Sequence, residues 1–232
     1  MSTLSSSPAA RTGAILCYVT DRRSLPLAAV SDLSSALLQK IATIAASGVD
    51  WIQLREKDLP ARAISALACE AFRTRKHSRR QRGKTLMLVN DRVDVALAQH
   101  ADGVHLGEHG LPVQEVKQFV ESRLPPKGFL LGVSCHSPEA AKSAENDGAD
   151  YIFFGPIFAT PSKAAFGEPQ GIGTLAEVCR SVSIPVMAIG GITLGNAAAC
   201  IAAGAAGIAA IRLFQDASDP PALVEELRRR IA

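Results

Sequence analysis

Eight short apolar runs recur along this chain of 232 residues, at 15–19, 51–54, 85–89, 103–106, 130–133, 151–154, 185–189 and 207–213. Between them lie amphipathic or alanine-rich stretches with helical periodicity, at 32–46, 62–76, 113–121, 138–147, 175–180, 194–203 and 221–230. Strand and helix alternate throughout, a succession that a parallel sheet covered by helices satisfies. Glycines at 48, 148 and 204 close three of the helices, as left-handed C-cap residues leading into a strand do. No linker or break in composition divides the chain. Eight βα units in this length predict a single α/β domain, a (β/α)8 TIM barrel over 14–232, with an open doubly wound sheet as the alternative. Residues 1–13 have no apolar core segment and read as a flexible N-terminal tail, not a signal peptide.

Composition supports that architecture and excludes several others. Hydrophobic residues make up 47% of the chain but aromatic ones only 5%, which suits repeated Ala, Val, Ile and Leu layers. The net charge of +3 is too mild to argue for a nucleic-acid partner, and the absence of a long apolar span argues against a membrane partner. Cys17, Cys69, Cys135, Cys179 and Cys200 show no pairing pattern, so a reduced, cytoplasmic setting is expected.

In such a barrel the chemistry belongs at the C-terminal ends of the strands. There the apolar pattern breaks into polar residues, among them Asn90-Asp91-Arg92 and His105-Leu106-Gly107-Glu108-His109. Gln53, Arg55 and Lys57 alternate at the end of the second strand, so a period of two would aim all three at the barrel mouth. Two cations and an amide there point to a polyanion; the alternative is a rim neutralised by Glu56, Asp58 or Asp91. Asn90 and Asp91 offer an amide and a hard oxygen ligand, which suits Mg2+ when a diphosphate supplies the other oxygens. The sixth loop is long and carries Thr160, Ser162 and Lys163. After the seventh strand, Gly190 and Gly191 precede a helix, where backbone N–H groups can approach a phosphate. Two anion pockets follow, one near strands two and three, one near seven and eight.

These residues resemble the thiamin phosphate synthase and thiazole tautomerase superfamily from Tyr18 to about Ala217. The resemblance is carried by Tyr18-Val19-Thr20-Asp21, Gln53-Leu54-Arg55-Glu56-Lys57, Val89-Asn90-Asp91-Arg92, Asp102-Gly103-Val104-His105-Leu106-Gly107, Gly132-Val133-Ser134-Cys135-His136-Ser137, Gly155-Pro156, Thr160-Pro161-Ser162-Lys163 and Ala188-Ile189-Gly190-Gly191-Ile192. It implies an enzyme that joins a hydroxymethylpyrimidine diphosphate to a thiazole phosphate, releasing diphosphate and forming thiamin phosphate. It also implies roles. Gln53, Arg55, Lys57 and Asn90 hold the pyrimidine diphosphate, Asp91 binds magnesium, and Ser134 and Lys163 contact the leaving group. Thr160, Ser162, Gly190 and Gly191 line the thiazole phosphate side. Partners are then small phosphorylated pyrimidine and thiazole substrates, and the family leaves monomer, dimer or trimer open.

Two positions depart from the synthase pattern. Gly110 stands where a second metal-binding aspartate is usual, which puts Mg2+ in question, with Glu108 as a nearby substitute. Arg212 stands where a small hydroxyl residue usually meets the thiazole phosphate; it could bind that phosphate bidentately or fill its pocket. Both keep two other readings open: a thiazole tautomerase with His136 as the proton shuttle, and a non-catalytic regulator that binds thiazole or thiamin phosphates. The full set Gln53, Arg55, Lys57, Asn90 and Asp91 places the synthase first.

Other signals are read as structural. Gly171 to Ala176 matches a dinucleotide fingerprint but lacks the preceding strand. His105 reads as a strand-end residue, Cys135 as a buried thiol facing away from His136. The basic run at 73–84 reads as a solvated helix end.

Overall fold

The computed structural model describes residues 13–26, 32–75, 84–123, 125–160 and 168–232. The expected tail therefore lies almost wholly outside the described residues, as do Ser162, Lys163 and most of the basic run. Eight strands close into a barrel in sequence order: β1 (Ile15–Val19), β2 (Trp51–Leu54), β3 (Leu86–Asn90), β4 (Gly103–Leu106), β5 (Leu130–Cys135), β6 (Tyr151–Phe154), β7 (Val186–Ile189) and β8 (Gly207–Ala210). All neighbours are parallel, and β1 meets β8 with Ile15 opposite Gly207. The open-sheet alternative is thereby overturned. Outside lie α1 (Leu33–Ser47), α2 (Ala61–Arg75), α3 (Val93–Ala98), α4 (Val113–Glu121), α5 (Pro138–Asn146), α6 (Gly171–Ser181), α7 (Ala197–Ala202), α8 (Arg212–Gln215) and α9 (Pro220–Arg230). Among the described residues no helix is long and apolar enough to cross a membrane.

The helices begin and end where local chemistry demands. Asp32 accepts hydrogen bonds from the N–H groups of Ser34 and Ser35 to start α1, and Gly48, at φ 93°, ends it. Ser137 caps α5 and Asp219 caps α9, each with proline next in the chain, where the missing N–H costs nothing. Gly148 and Gly204 also take positive φ, at 91° and 103°, as their place at helix ends implies.

Successive strand residues face opposite sides, so two separate apolar layers form. The outward faces pack Leu16, Ile52, Val89, Val104, Cys135 and Ile152 under the helices. The inward faces fill the barrel with Cys17, Trp51, Leu88, Tyr151, Phe153 and Met187. Three aspartates stitch the lower end: Asp50 accepts the N–H of Leu16 at 2.8 Å, Asp102 that of Met87 at 2.8 Å, and Asp150 that of Leu131 at 2.7 Å. Each stands just before an even-numbered strand and ties it to the strand before.

Some boundaries differ from expectation. The eighth strand stops at Ala210 instead of 213, because its last partners are Ile189 on β7 and Tyr18 on β1 and neither ladder goes further. Ile211 and Arg212 accordingly turn into α8. The fifth strand runs two residues longer because Cys135 pairs with Phe154. Helix α3, only six residues, is too short to impose a recognisable helical period.

Candidate active site

The upper mouth is built from inward positions on consecutive strands. Gln53 on β2 donates from Nε2 to Asn90 Oδ1 on β3 at 2.7 Å, and Asn90 donates from Nδ2 to Asp91 Oδ2 at 2.7 Å. The other Asp91 oxygen accepts the N–H of Gly107, after β4, at 2.7 Å. Asp91 takes a left-handed backbone, φ 56°, rare for a residue with a side chain though more tolerable for aspartate. Its own N–H donates to His105 O at 2.8 Å, so both ends of the residue are held.

Gln53 is 1% exposed, and its Oε1 is a buried side-chain oxygen with no hydrogen-bond partner among the described residues. An unsatisfied buried acceptor costs about 1–3 kcal/mol. A ligand N–H would relieve that cost.

Arg55 lies just past the end of β2 and is partly exposed; its backbone N–H is held by the Thr20 hydroxyl at 2.9 Å. The acids that could have neutralised it are taken by another cation. Arg22 lies 3.1 Å from Glu56 and 2.7 Å from Asp58. Glu56 is buried, 4% exposed, and also accepts from the Thr20 hydroxyl at 2.6 Å. Burial raises its pKa, against the hydrogen bonds from Thr20 and Arg22 that favour the carboxylate. Arg55 has no ion pair among the described residues, so the expected alternative of a rim neutralised by Glu56 or Asp58 fails for it. The expectation that Gln53, Arg55 and Lys57 alternate down one strand needs correction: β2 ends at Leu54, and Lys57 is an exposed turn residue.

On the far side of the mouth, His105 of β4 is 1% exposed, with Ser134 Oγ of β5 at 3.0 Å from Nε2 and the Tyr151 hydroxyl of β6 at 3.1 Å from Nδ1. Burial, and then the charge of Arg55, push the His105 pKa down to about 3. Sequence reasoning placed His105 at a strand end and missed its contact with Ser134. The available signal was register: His105 shares the inward phase of Gly132 and Ser134, and Gly132 is its partner across the ladder.

His136 stands one residue beyond β5. Its Nδ1 faces Gly155 O, and its backbone N–H donates to Glu108 Oε1 at 3.1 Å. Glu108 Oε2 lies 3.9 Å from His136 Nε2, so the carboxylate is turned toward β5. Cys135, the residue before, packs outward, and burial pushes its thiol up to about 12, an inert position.

Loops six and seven are zipped together. Ile157 N–H donates to Ile189 O at 2.9 Å and Phe158 N–H to Gly190 O at 3.0 Å. Gly190 and Gly191 take positive φ, 93° and 65°, and a Cβ on either would meet loop six at 2.5 Å and 2.7 Å. Thr160 lies at the last described position of that loop before 168. Arg212 is exposed at the start of α8, where it lines a surface depression with Thr193, Asp216 and Asp219. Gly190 and Gly191 do not line it. The preceding residue, Ile211, packs with the barrel interior.

Asp91 is the carboxylate available to a cation here, and among the described residues no group of three His, Cys, Asp or Glu could hold a metal ion. A Cβ on Gly110 would stand 3.5 Å from Asp91 Oδ1, so the bare glycine leaves that side of the carboxylate open. The donor set fits an ion that takes most of its ligands from a phosphorylated substrate and water, as Mg2+ does.

A closed barrel that, among the described residues, leaves a guanidinium and an amide oxygen unspent at the C-terminal mouth places the chain among the (β/α)8 enzymes. Within that class it belongs to the thiamine monophosphate synthase family, which it matches over residues 17–214. It is 42% identical over 220 residues to the thiamine-phosphate synthase of Roseiflexus sp. (strain RS-1), covering 95% of this chain and 86% of that one. The thiamine-phosphate synthase of Methanoculleus marisnigri is 45% identical over 190 residues, covering 81% and 84%. Among solved structures, thiamine phosphate pyrophosphorylase from Pyrococcus furiosus superposes with a TM-score of 0.76 at 32% identity, covering 94% of this chain and 95% of that one.

Proposed function

We propose that the chain is a thiamin phosphate synthase, a transferase that joins hydroxymethylpyrimidine diphosphate to thiazole phosphate and releases diphosphate. The observation that carries this reading is Arg55, without an ion pair among the described residues, two positions after Gln53 with its orphaned buried oxygen, one suited to a diphosphate and the other to an amino group on a heterocycle. As the methylene C–O bond breaks, negative charge gathers on the departing diphosphate. A cation already held in place stabilises that charge more than it stabilises the ground state. The thiazole nitrogen then attacks the methylene carbon, and no enzyme nucleophile is needed.

In this reading Gln53 and Asn90 orient the pyrimidine, Arg55, Lys57, Ser134 and Lys163 meet the diphosphate, and Thr160, Ser162, Gly190 and Gly191 meet the thiazole phosphate. Asp91 would hold magnesium, which supplies further neutralisation of the leaving group. Arg212 borders Thr193 without reaching Gly190 or Gly191, and His136 anchors loop six to the end of β5. The relatives named as synthases favour this reading over the tautomerase. Five free cysteines suit a reduced cytoplasm.

Purified protein given both phosphorylated substrates and Mg2+ should form thiamin phosphate. Arg55→Ala or Lys163→Ala should slow it by roughly 10²–10³-fold, the usual loss for one preorganised donor. No product at any magnesium concentration would remove the synthase reading.

A further inference from the structure

The interior of the barrel holds a hydrogen-bonded line that no step above requires: the Tyr151 hydroxyl, the His105 imidazole and the Ser134 hydroxyl, at 3.1 and 3.0 Å. We infer that Tyr151 and His105 are positioning residues that fix the His105 tautomer and thereby turn the Ser134 hydroxyl proton toward the mouth, as a donor to the departing anion. This rests on the proposed role of Ser134.

The direction of the line follows from counting protons. Tyr151 is fully buried, and its hydroxyl has His105 as its hydrogen-bond partner among the described residues. Were His105 to donate from Nδ1, the tyrosine proton would be left without an acceptor, at a cost of about 1–3 kcal/mol. Tyr151 therefore donates to Nδ1. A neutral imidazole then carries its one proton on Nε2 and donates it to Ser134 Oγ. An Nδ1 that accepts the tyrosine proton carries none of its own, so the ring is neutral. The serine oxygen, already accepting from below, has its own proton left over. Ser134 is one inward step nearer the mouth than Gly132, the ladder partner of His105. Its proton therefore faces the side where the diphosphate departs.

The surroundings hold this arrangement rigid. The Phe153 ring lies 4.2 Å from the imidazole, and Trp51 meets the Tyr151 ring edge-on at 4.8 Å. Gly132 is bare because a Cβ there would stand 2.1 Å from Tyr151 Cζ. A histidine that merely filled space would need neither the tyrosine hydroxyl nor a cleared glycine beneath it.

The test reads the tautomer, a binding constant and a rate. Nitrogen-15 spectra of uniformly labelled protein should show His105 protonated at Nε2 without any substrate. Tyr151→Phe, which keeps the ring and removes only the hydroxyl, should relax that preference and weaken binding of inorganic diphosphate. It should lower kcat by roughly ten-fold with KM nearly unchanged, a fraction of what losing a whole donor costs. In a Ser134→Ala background the same substitution should cost nothing further, because the two act through one hydroxyl. An Nδ1 proton in the wild type would overturn the inference, and so would full additivity of the two substitutions. The tautomer and the diphosphate affinity need no turnover, so a failure of the synthase reading would show separately, as absence of thiamin phosphate with both readouts intact.

Discussion

Arg22 Nη1 lies 3.1 Å from Glu56 Oε2, and the Glu56 side chain is only 1% exposed. This pairing, from the turn after β1 to the residue after Arg55, is what leaves Arg55 without an ion pair among the described residues. Replacing Arg22 with alanine strips a buried carboxylate of its cation, which should cost up to about 3–5 kcal/mol. It should also raise KM for the pyrimidine diphosphate, since Glu56 and Asp58 would then compete for Arg55. Thermal melts and steady-state kinetics on the same variant check both; an unchanged KM in a folded variant would separate the two cations.

Gly110 leaves one side of Asp91 bare. Gly110→Asp should bring a second carboxylate beside Oδ1 and lower the magnesium concentration needed for half-maximal rate, by roughly ten-fold if it adds one ligand. Magnesium titrations of the two proteins compare them directly, and an unchanged half-saturation would show that position 110 does not reach the ion.

His105 stays neutral in the folded protein down to about pH 3, against an ordinary value of 6.5. Between those values the unfolded chain binds a proton that the folded chain does not, so stability falls as pH falls through this window. The contribution is at most about 1.4 kcal/mol per pH unit. Denaturant unfolding of the wild type and His105→Gln from pH 6.5 to pH 4 should give a shallower pH slope for the variant. Parallel slopes would mean that the imidazole is charged inside the barrel.

Gly132→Ala places a methyl group into the Tyr151 ring. Overpacking of this kind costs about 1–3 kcal/mol, and the displaced ring should also loosen the contact with His105. We expect a lower Tm together with a lower kcat. A variant with wild-type Tm would mean the tyrosine can move aside freely.

At the opposite end of the barrel, Asp102→Ala removes the acceptor for the Met87 N–H. It should cost about 1–3 kcal/mol by leaving that donor unpaired, with kcat and KM unchanged, because the lower end lies away from the mouth. A large change in kcat would show that the stitch sets the register of Asn90 and His105.

Most of the architecture could be read directly from the residue order. Five of the eight strands end where the apolar runs at 15–19, 51–54, 103–106, 151–154 and 185–189 end, because burial on both faces leaves little else for such runs to be. Asp32, Gly48 and Ser137 mark helix ends through bonds within a few residues of themselves, so local order alone specifies them. Gln53, Asn90 and Ser134 also come from position in the chain, since a strand's last inward residue is set by counting in twos. What three-dimensional packing alone decided is the pairing of these groups. Nothing local tells Glu56 to choose Arg22 over Arg55, tells His105 to sit between Tyr151 and Ser134, or ends β8 at Ala210 so that Arg212 opens α8. Those choices belong to residues 29 or more apart in the chain or to a ladder that stops, and a carboxylate or an imidazole takes whichever partner the closed barrel brings within about 3 Å.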